Sequence, residues 1–344
     1  MSPAARQFRV GPPRTWLVTG GAGFIGSHLV ETLLSNGQRV RVLDNLSTGY
    51  RHNLAAASAP APERFEFLQG DIRDPAACRA ACAGADVVLH QAALGSVPRS
   101  IDDPKTSHDV NVTGFVNVLD AARDAGIRRV VYASSSAVYG DHPGLPKIED
   151  ETGRPLSPYA STKAADELYA HSFANAYGME PVGLRYFNVF GPRQDPKGAY
   201  AAVIPLWFDS LFGGPAPFLN GDGETSRDFS FIANVVQANL LAATTMDPAA
   251  VRTVYNVACG ARTTLRVLFE LMREEAARLD PASARVNLTH RPARDGDIRH
   301  SHANIQRARD LLGYEPTHSI GQGLAESARW YHQEALRRRA SLAA

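Results

Sequence analysis

The stretch WLVTGGAGFIGSHLVETLLSNG, residues 16–37, decides the fold. Trp16 to Thr19 form a short apolar run that breaks at Gly20-Gly21, and apolar residues resume at helical spacing in Phe24, Ile25, Leu29 and Leu33. That pattern predicts strand, glycine turn, helix. The glycines at 20, 23 and 26 serve three different ends. Gly20 permits the tight turn, Gly23 lets the backbone approach a pyrophosphate, and Gly26 lets helix and strand pack closely. The helix N-terminus then offers N–H groups and a positive dipole end to phosphates.

Working outward, RVRVLDNLSTG (39–49) alternates as a strand and carries Asp44, 18 residues beyond Gly26. A carboxylate at that strand end can bond both adenosine ribose hydroxyls and repels a 2′-phosphate, so NAD is expected rather than NADP. Further strands are expected at FEFLQGDI (65–72), ADVVLHQAAL (85–94), RRVVYASSS (128–136) and EPVGLRYFNV (180–189), with helical stretches between them. The alternation predicts an α/β fold with a doubly wound parallel sheet. Ligands gather at the carboxyl ends of such strands. Asp71 and Ile72 should flank the adenine there, and Ala92 and Ala93 leave room for the adenosine half. Asn111, in the following helix, either props up the site or touches the ligand directly.

The fifth strand runs into Ser134-Ser135-Ser136, and Ser135 there is a donor for a substrate oxygen; the alternative is that these serines cap backbone groups. LSPYASTKAADELYAHSFANAYG (156–178) places Tyr159 and Lys163 four apart on one helix face. Tyrosine is a poor base, with a reference pKa of about 10. An ammonium one turn away, with a positive nicotinamide ring, would stabilise its phenolate. The three features together point to hydride chemistry on a carbon that bears a hydroxyl.

Bulk properties bound the rest. The chain has 344 residues, 44% of them hydrophobic, and a net charge of +1. Nothing in that balance draws it to nucleic acid or membrane. Cys78, Cys82 and Cys259 are too sparse for a disulfide framework, and buried thiols are expected rather than a metal site. No apolar run reaches the length of a membrane span. The start lacks the apolar block of a signal peptide, so a cytoplasmic protein is expected.

TGGAGFIG (19–26), Asp44, SSSAVYG (134–140), YASTK (159–163) and RYFNVFGPRQ (185–194) resemble the extended short-chain dehydrogenase/reductase family. DNLSTG (44–49) and RYFN (185–188) are similar to its UDP-hexose 4-epimerase branch. The likeness covers about residues 15 to 335. It is closest to bacterial UDP-N-acetylglucosamine 4-epimerases, in GSVPRS (95–100), GDHPGLPK (140–147), AYAAVIP (199–205), NGDGETSRDFSFI (220–232) and GDIRHS (296–301). It implies Ser135, Tyr159 and Lys163 as catalytic and a tightly held NAD regenerated each turnover. It also implies cofactor contacts at Phe24, Ile25, Asn45, Ser47, Thr48, Gly49, Gln91 and Tyr186; for Tyr186 the alternative is core packing. Related 4,6-dehydratases carry an Asp-Glu pair where Ser136 and Ala137 stand, and decarboxylases a Glu in place of Ala137. Their absence leaves oxidation and reduction at C4.

For the substrate, the resemblance implies Asn188, Arg227 and Arg294 on the UDP diphosphate; the alternative is that each arginine pairs with its neighbouring aspartate. Arginine suits a diphosphate because its planar fork engages phosphate bidentately. Gly95, Ser96 and Ser136 are expected at the sugar, and Gln194, Val203, Asn220 and Asp297 by resemblance alone. Ser301 stands where galactose-restricted enzymes carry a tyrosine, so it leaves volume for an N-acetyl group. It is also expected to cap a helix over 303–313.

The expected organisation is a flexible tail over 1–13, an NAD-binding domain over 14–185 with a returning segment near 228–258, and a UDP-sugar domain from 186–227 and 259–335. The expected activity is C4 epimerisation of UDP-GlcNAc and UDP-GalNAc. UDP-glucose, UDP-glucuronate or UDP-N-acetylglucosaminuronate are alternative substrates, with Arg99 or Arg193 facing a C6 carboxylate. A catalytically silent NAD-sensing module is the rival of another class. A homodimer is expected: the resemblance implies an interface on the helices around 110–125 and 158–177, whose apolar faces, with Phe115, Val118, Leu119, Leu168 and Phe173, are long enough for both core and partner. Arg337 to Arg339 read as a solvated helix end.

Overall fold

The computed structural model describes residues 10–197, 201–292 and 299–343. Seven strands form one sheet: β1 Thr15–Thr19, β2 Arg39–Asp44, β3 Phe65–Gln69, β4 Val87–His90, β5 Arg129–Ser135, β6 Glu180–Tyr186 and β7 Thr253–Val257. Their order is β7-β6-β5-β4-β1-β2-β3, and every pairing is parallel. Covered on both faces, the inner strands are nearly continuous runs of apolar residues. The order reverses between β1 and β4, and that crevice at the carboxyl ends is where such sheets take ligands.

Six helices matter for the site: α1 Phe24–Ser35, α2 Pro75–Cys82, α3 Gly114–Asp124, α4 Pro158–Tyr177, α5 Ile232–Thr244 and α6 Ile320–Ala343. α1 and α5 share one face of the sheet; α2, α3 and α4 share the other. The start of α4 is fixed locally. Ser157 accepts a hydrogen bond from the Ala160 N–H, Pro158 occupies the first turn, and Gly178 ends the helix at φ 66°.

The helices expected at a dimer interface bury part of their apolar faces within this chain. Phe115, Val118, Leu119 and Phe173 are buried in this chain's own core, whereas Leu168 is 70% exposed. The tail boundary moves. Val10 is buried, and the Gln38 amide ties down the segment, donating to the Gly11 carbonyl and accepting from Arg14 N and Trp16 Nε1. Residues 10–13 are therefore anchored.

Beyond β6, the helices Val203–Leu211, Leu265–Ala277 and α6 pack together and extend the core on the α1 face of the sheet. Trp207 meets Phe269 edge-on at 5.3 Å, and Phe208 stacks on Tyr331 at 5.2 Å. At the end of α6, Arg337 pairs with Glu334, Arg338 with Asp209 and Arg339 with the Phe212 carbonyl. The basic run is thus engaged by its own chain. Among the described residues no helix is long and apolar enough to cross a membrane.

Candidate active site

The glycine turn forms a cradle that only glycine fits. Gly20 sits at φ 67°, and a β-carbon there would lie 2.7 Å from the Ala92 backbone. A β-carbon on Gly26 would lie 2.2 Å from the Gly20 carbonyl oxygen. Gly23 caps α1, whose first turn, with Phe24, Ile25 and Gly26, carries no acidic side chain. Its positive end is not neutralised locally. A pyrophosphate fits that chemistry.

At the end of β2, Asp44 is buried, and its carboxylate accepts from the Ala22 and Leu46 N–H groups at 2.9 and 2.8 Å. It is thus aimed back over the glycine turn. Asn45 donates to Asp71 at 2.8 Å and accepts from Ser47 N–H. Thr48 follows at the surface, and Gly49 packs against the backbone of Ala22. Asp71 is gripped by both arms of Arg73, and that guanidinium holds its carboxyl well below the usual carboxylate range. Ile72, expected beside an adenine, has its side chain buried against Gly114.

Gln91, just past β4, and Tyr186, at the end of β6, are joined by Asn239 of α5. Tyr186 Oη donates to Gln91 Oε1 at 3.1 Å, Asn239 Nδ2 donates to Tyr186 Oη at 2.9 Å, and Gln91 Nε2 donates to Asn239 Oδ1 at 3.1 Å. This closed triangle buries the Tyr186 hydroxyl, and burial pushes its pKa up. Tyr186 is therefore a core residue at the rim of the crevice. Asn239 escaped the sequence reading, although polar Asn234, Gln237 and Asn239 on a helix buried almost all round were a signal.

Asn111 is fully buried in a widened turn over Asp109–Thr113. Its side chain accepts from Leu94 N–H at 2.7 Å and donates to Thr162 Oγ1 at 3.0 Å. It props the loop after β4 against α4. Ser135 ends β5, half-buried, and its hydroxyl accepts from Ala137 N–H at 3.1 Å. Ser136 and Ala137 follow in a short turn against which α4 packs. Tyr159 is half-buried on the first turn of α4, its backbone N–H donating to Ser100 Oγ at 2.9 Å.

Lys163, one turn on, is 2% exposed and donates to Asp166 Oδ2 at 3.0 Å. Burial alone would lower its pKa, but Asp166, Tyr159 and Glu167 raise it overall. Burial pushes Asp166 up to about 6 despite Lys163. The sequence suggested an ammonium serving the tyrosine alone, and the structure adds a carboxylate partner. Neighbouring Glu167 is engaged by Arg185 at 2.7 Å and by Ser134. Cys78 and Cys82 are buried, and burial pushes both thiols up to about 12.

A cavity of about 430 Å³ brings together Thr48, Ala93, Gly95, Ser96 and Gln194, and adds Leu94, Arg99 and Asp195. Ser96 is held at φ 112°, where its hydroxyl accepts from Arg99 N–H. Arg193 is not in this cavity. It pairs with Glu31 and lies against His28 of α1. A second cavity of about 990 Å³ is walled by α1 and α6, and neither cavity is lined by Ser135, Tyr159 or Lys163.

Asn188, at φ 33°, donates to the Asp228 carbonyl at 3.0 Å, and Arg227 donates to the Ser226 carbonyl at 3.0 Å. Asp228 is fully buried and accepts from Cys259 and Ala303 N–H groups. Val203 opens its helix half-buried, and Asn220 ends the strand Phe218–Asn220. Ser301 N–H donates to the Ser226 carbonyl at 3.0 Å, beside Arg227. It is not a helix cap. The helix runs Gln306–Leu312, and Asn304 Oδ1 accepts from Gln306 N–H instead. Arg294 and Asp297 lie outside the described residues.

A model of the NAD dependent epimerase/dehydratase family matches residues 16–258. A UDP-glucose 4-epimerase of Mycolicibacterium smegmatis is 38% identical over 325 residues, covering 92% of this chain and 98% of its own. UDP-glucuronate 4-epimerase 3 of Arabidopsis thaliana is 34% identical, covering 92% of this chain and 76% of its own. Among solved structures, a UDP-N-acetylglucosamine 4-epimerase from Methanobrevibacter ruminantium M1, in complex with UDP-N-acetylmuramic acid, superposes with a TM-score of 0.86 at 37% identity. It covers 94% of this chain and 100% of its own.

Proposed function

Because the chain belongs to the NAD dependent epimerase/dehydratase family, we propose that it is an NAD-dependent UDP-sugar 4-epimerase that interconverts UDP-GlcNAc and UDP-GalNAc through a 4-keto sugar. One observation carries the reading. Tyr159 and Lys163 share a face of α4 where that helix packs on the Ser135 end of β5. In this reading Tyr159 accepts the 4-hydroxyl proton and later returns it. Lys163 stabilises the phenolate, and Ser135 holds the sugar oxygen. When bound, NAD would supply a reversible hydride acceptor at C4. Gly20, Gly23, Gly26 and Asp44 hold that cofactor through its pyrophosphate and ribose. Arg227 and Asn188, with Arg294, grip the diphosphate from the 186–227 and 259–335 parts of the chain. The sugar stays loosely held, so that the 4-keto intermediate can turn over between the two hydride transfers.

Support for an N-acetylated substrate is the small Ser301, whose backbone is tied beside Arg227. A second reading, a UDP-uronate substrate, is supported by Arg99 in the cavity with Gly95 and Ser96. Arg193 does not support it, because Glu31 holds it on α1. We take the enzyme to act as a cytoplasmic homodimer; exposed Leu168 and Tyr169 on α4 support the interface. Sedimentation as a monomer alone would remove that part.

Purified protein should epimerise UDP-GlcNAc with no added cofactor. Tyr159→Phe should lower turnover about 10²–10⁴-fold while the bound NAD is retained. Full activity in that variant overturns the mechanism. Turnover confined to UDP-glucose, or to UDP-uronates, overturns the substrate assignment.

A further inference from the structure

A lysine that stabilises a phenolate needs no carboxylate of its own, yet Lys163 has one. Lys163 and Asp166 lie three apart on α4, a spacing that on an exposed helix makes a weak surface pair. Here their side chains are 2% and 1% exposed. The adjacent carboxylate cannot substitute, since Arg185 and Ser134 engage Glu167. On β4, beneath the pair, burial and then the Lys163 charge keep His90 neutral, and its Nδ1 meets Thr19 Oγ1 at 2.8 Å. The pair is faced by Tyr159 and Glu167 from α4, His90 from β4, Tyr132 from β5, His108 from the helix Pro104–His108 and, through Glu167, Arg185 from β6. Asp166 Oδ1 has no hydrogen-bond partner among the described residues. Among the described residues, Asp166 is the carboxylate bonded to the ammonium.

We propose that Asp166 is a positioning residue whose carboxylate keeps Lys163 charged and aimed, and so sets the alkaline limit of the reaction. The inference rests on the assignment of Tyr159 and Lys163 above. A buried amine without a counter-ion sheds its proton more readily, because burial penalises the charged form. As a neutral amine, Lys163 would no longer stabilise the phenolate.

Asp166→Asn keeps an oxygen for the lysine and removes the charge. In the NAD-loaded enzyme, the alkaline limb of kcat/KM against pH should move down by about one unit or more. That is a roughly tenfold loss at the alkaline end beyond any loss near neutrality. Asp166→Glu should bring the limb back toward its original position. A profile of unchanged shape in Asp166→Asn, whatever its height, overturns the proposal. If Asp166→Asn does not fold, Asp166→Glu alone decides: the limb should hold while the height falls, and a limb displaced by the longer acid overturns it. The underlying assignment fails separately, through wild-type turnover in Tyr159→Phe.

Discussion

A β-carbon on Gly26 would stand 2.2 Å from the carbonyl oxygen of Gly20, closer than any relaxed contact allows. The two glycines make one device, in which the turn after β1 folds back under the first turn of α1. Gly26→Ala must therefore push helix from strand just where a pyrophosphate would lie. The expected outcome is loss of NAD from the purified protein and a destabilisation of about 1–3 kcal/mol. Nucleotide released on denaturation, with a melting curve, measures both. Full NAD content in the variant would refute the cradle.

Arg185 and Glu167 form a buried pair, with side chains 4% and 15% exposed. Arg185 also donates to the Glu149 carbonyl at 2.8 Å and lies over the Tyr139 ring at 4.9 Å. Glu167→Ala leaves a guanidinium in the core without its carboxylate. Urea unfolding should show a loss of about 3–5 kcal/mol. An unchanged midpoint would mean that the pair is solvated and contributes little.

Asp228 links stability to pH. Burial pushes its carboxyl from 3.8 up to about 6, although N–H groups of Cys259 and Ala303 pull the other way. The folded state therefore binds this proton more tightly than the unfolded chain does. Asp228 favours folding most at low pH, and that contribution is lost as pH rises from about 4 through about 6. The difference is about 3 kcal/mol. In Asp228→Asn the decline in unfolding free energy between about pH 4 and about pH 7 should shrink by about that amount. Parallel curves for the two proteins would contradict the assignment.

Ser301→Tyr tests the room beside the sugar. A filled pocket rejects an acetamide before it rejects a hydroxyl. The ratio of kcat/KM for UDP-GlcNAc to that for UDP-glucose should fall by about 10–200-fold. An unchanged ratio would show that position 301 does not meet the C2 substituent.

The sheet, the glycine turn and the Tyr159–Lys163 helix were legible because each depends on residues a few positions apart. Gly20, Gly23 and Gly26 declare a turn by spacing alone. Ser157, Pro158 and Gly178 start and stop α4 by local chemistry. Ser301 shows where such reasoning failed. A serine ahead of a helical run looks like a cap, but the helix starts only at Gln306, with Ile305 at its cap position and Asn304 accepting from the Gln306 N–H. Phe115 and Phe173 mark a different boundary, in packing. Helical periodicity marks an apolar face without saying whether the sheet or a partner covers it.

By itself, then, the sequence determined the doubly wound sheet, the glycine turn and the helix that carries Tyr159 and Lys163, since hydrogen bonds and periodicities within one turn or strand specify them. Tertiary structure alone decided which side chains hold one another: Asp166 on Lys163, Asn239 between Gln91 and Tyr186, and Arg193 on Glu31 rather than at the sugar. Two of those pairings join residues 148 and 162 positions apart. Asp166 lies within reach of Lys163 by spacing, yet burial is what turns a weak surface pair into a tight one. Strand order and burial bring such groups together, and neither is written in local spacing.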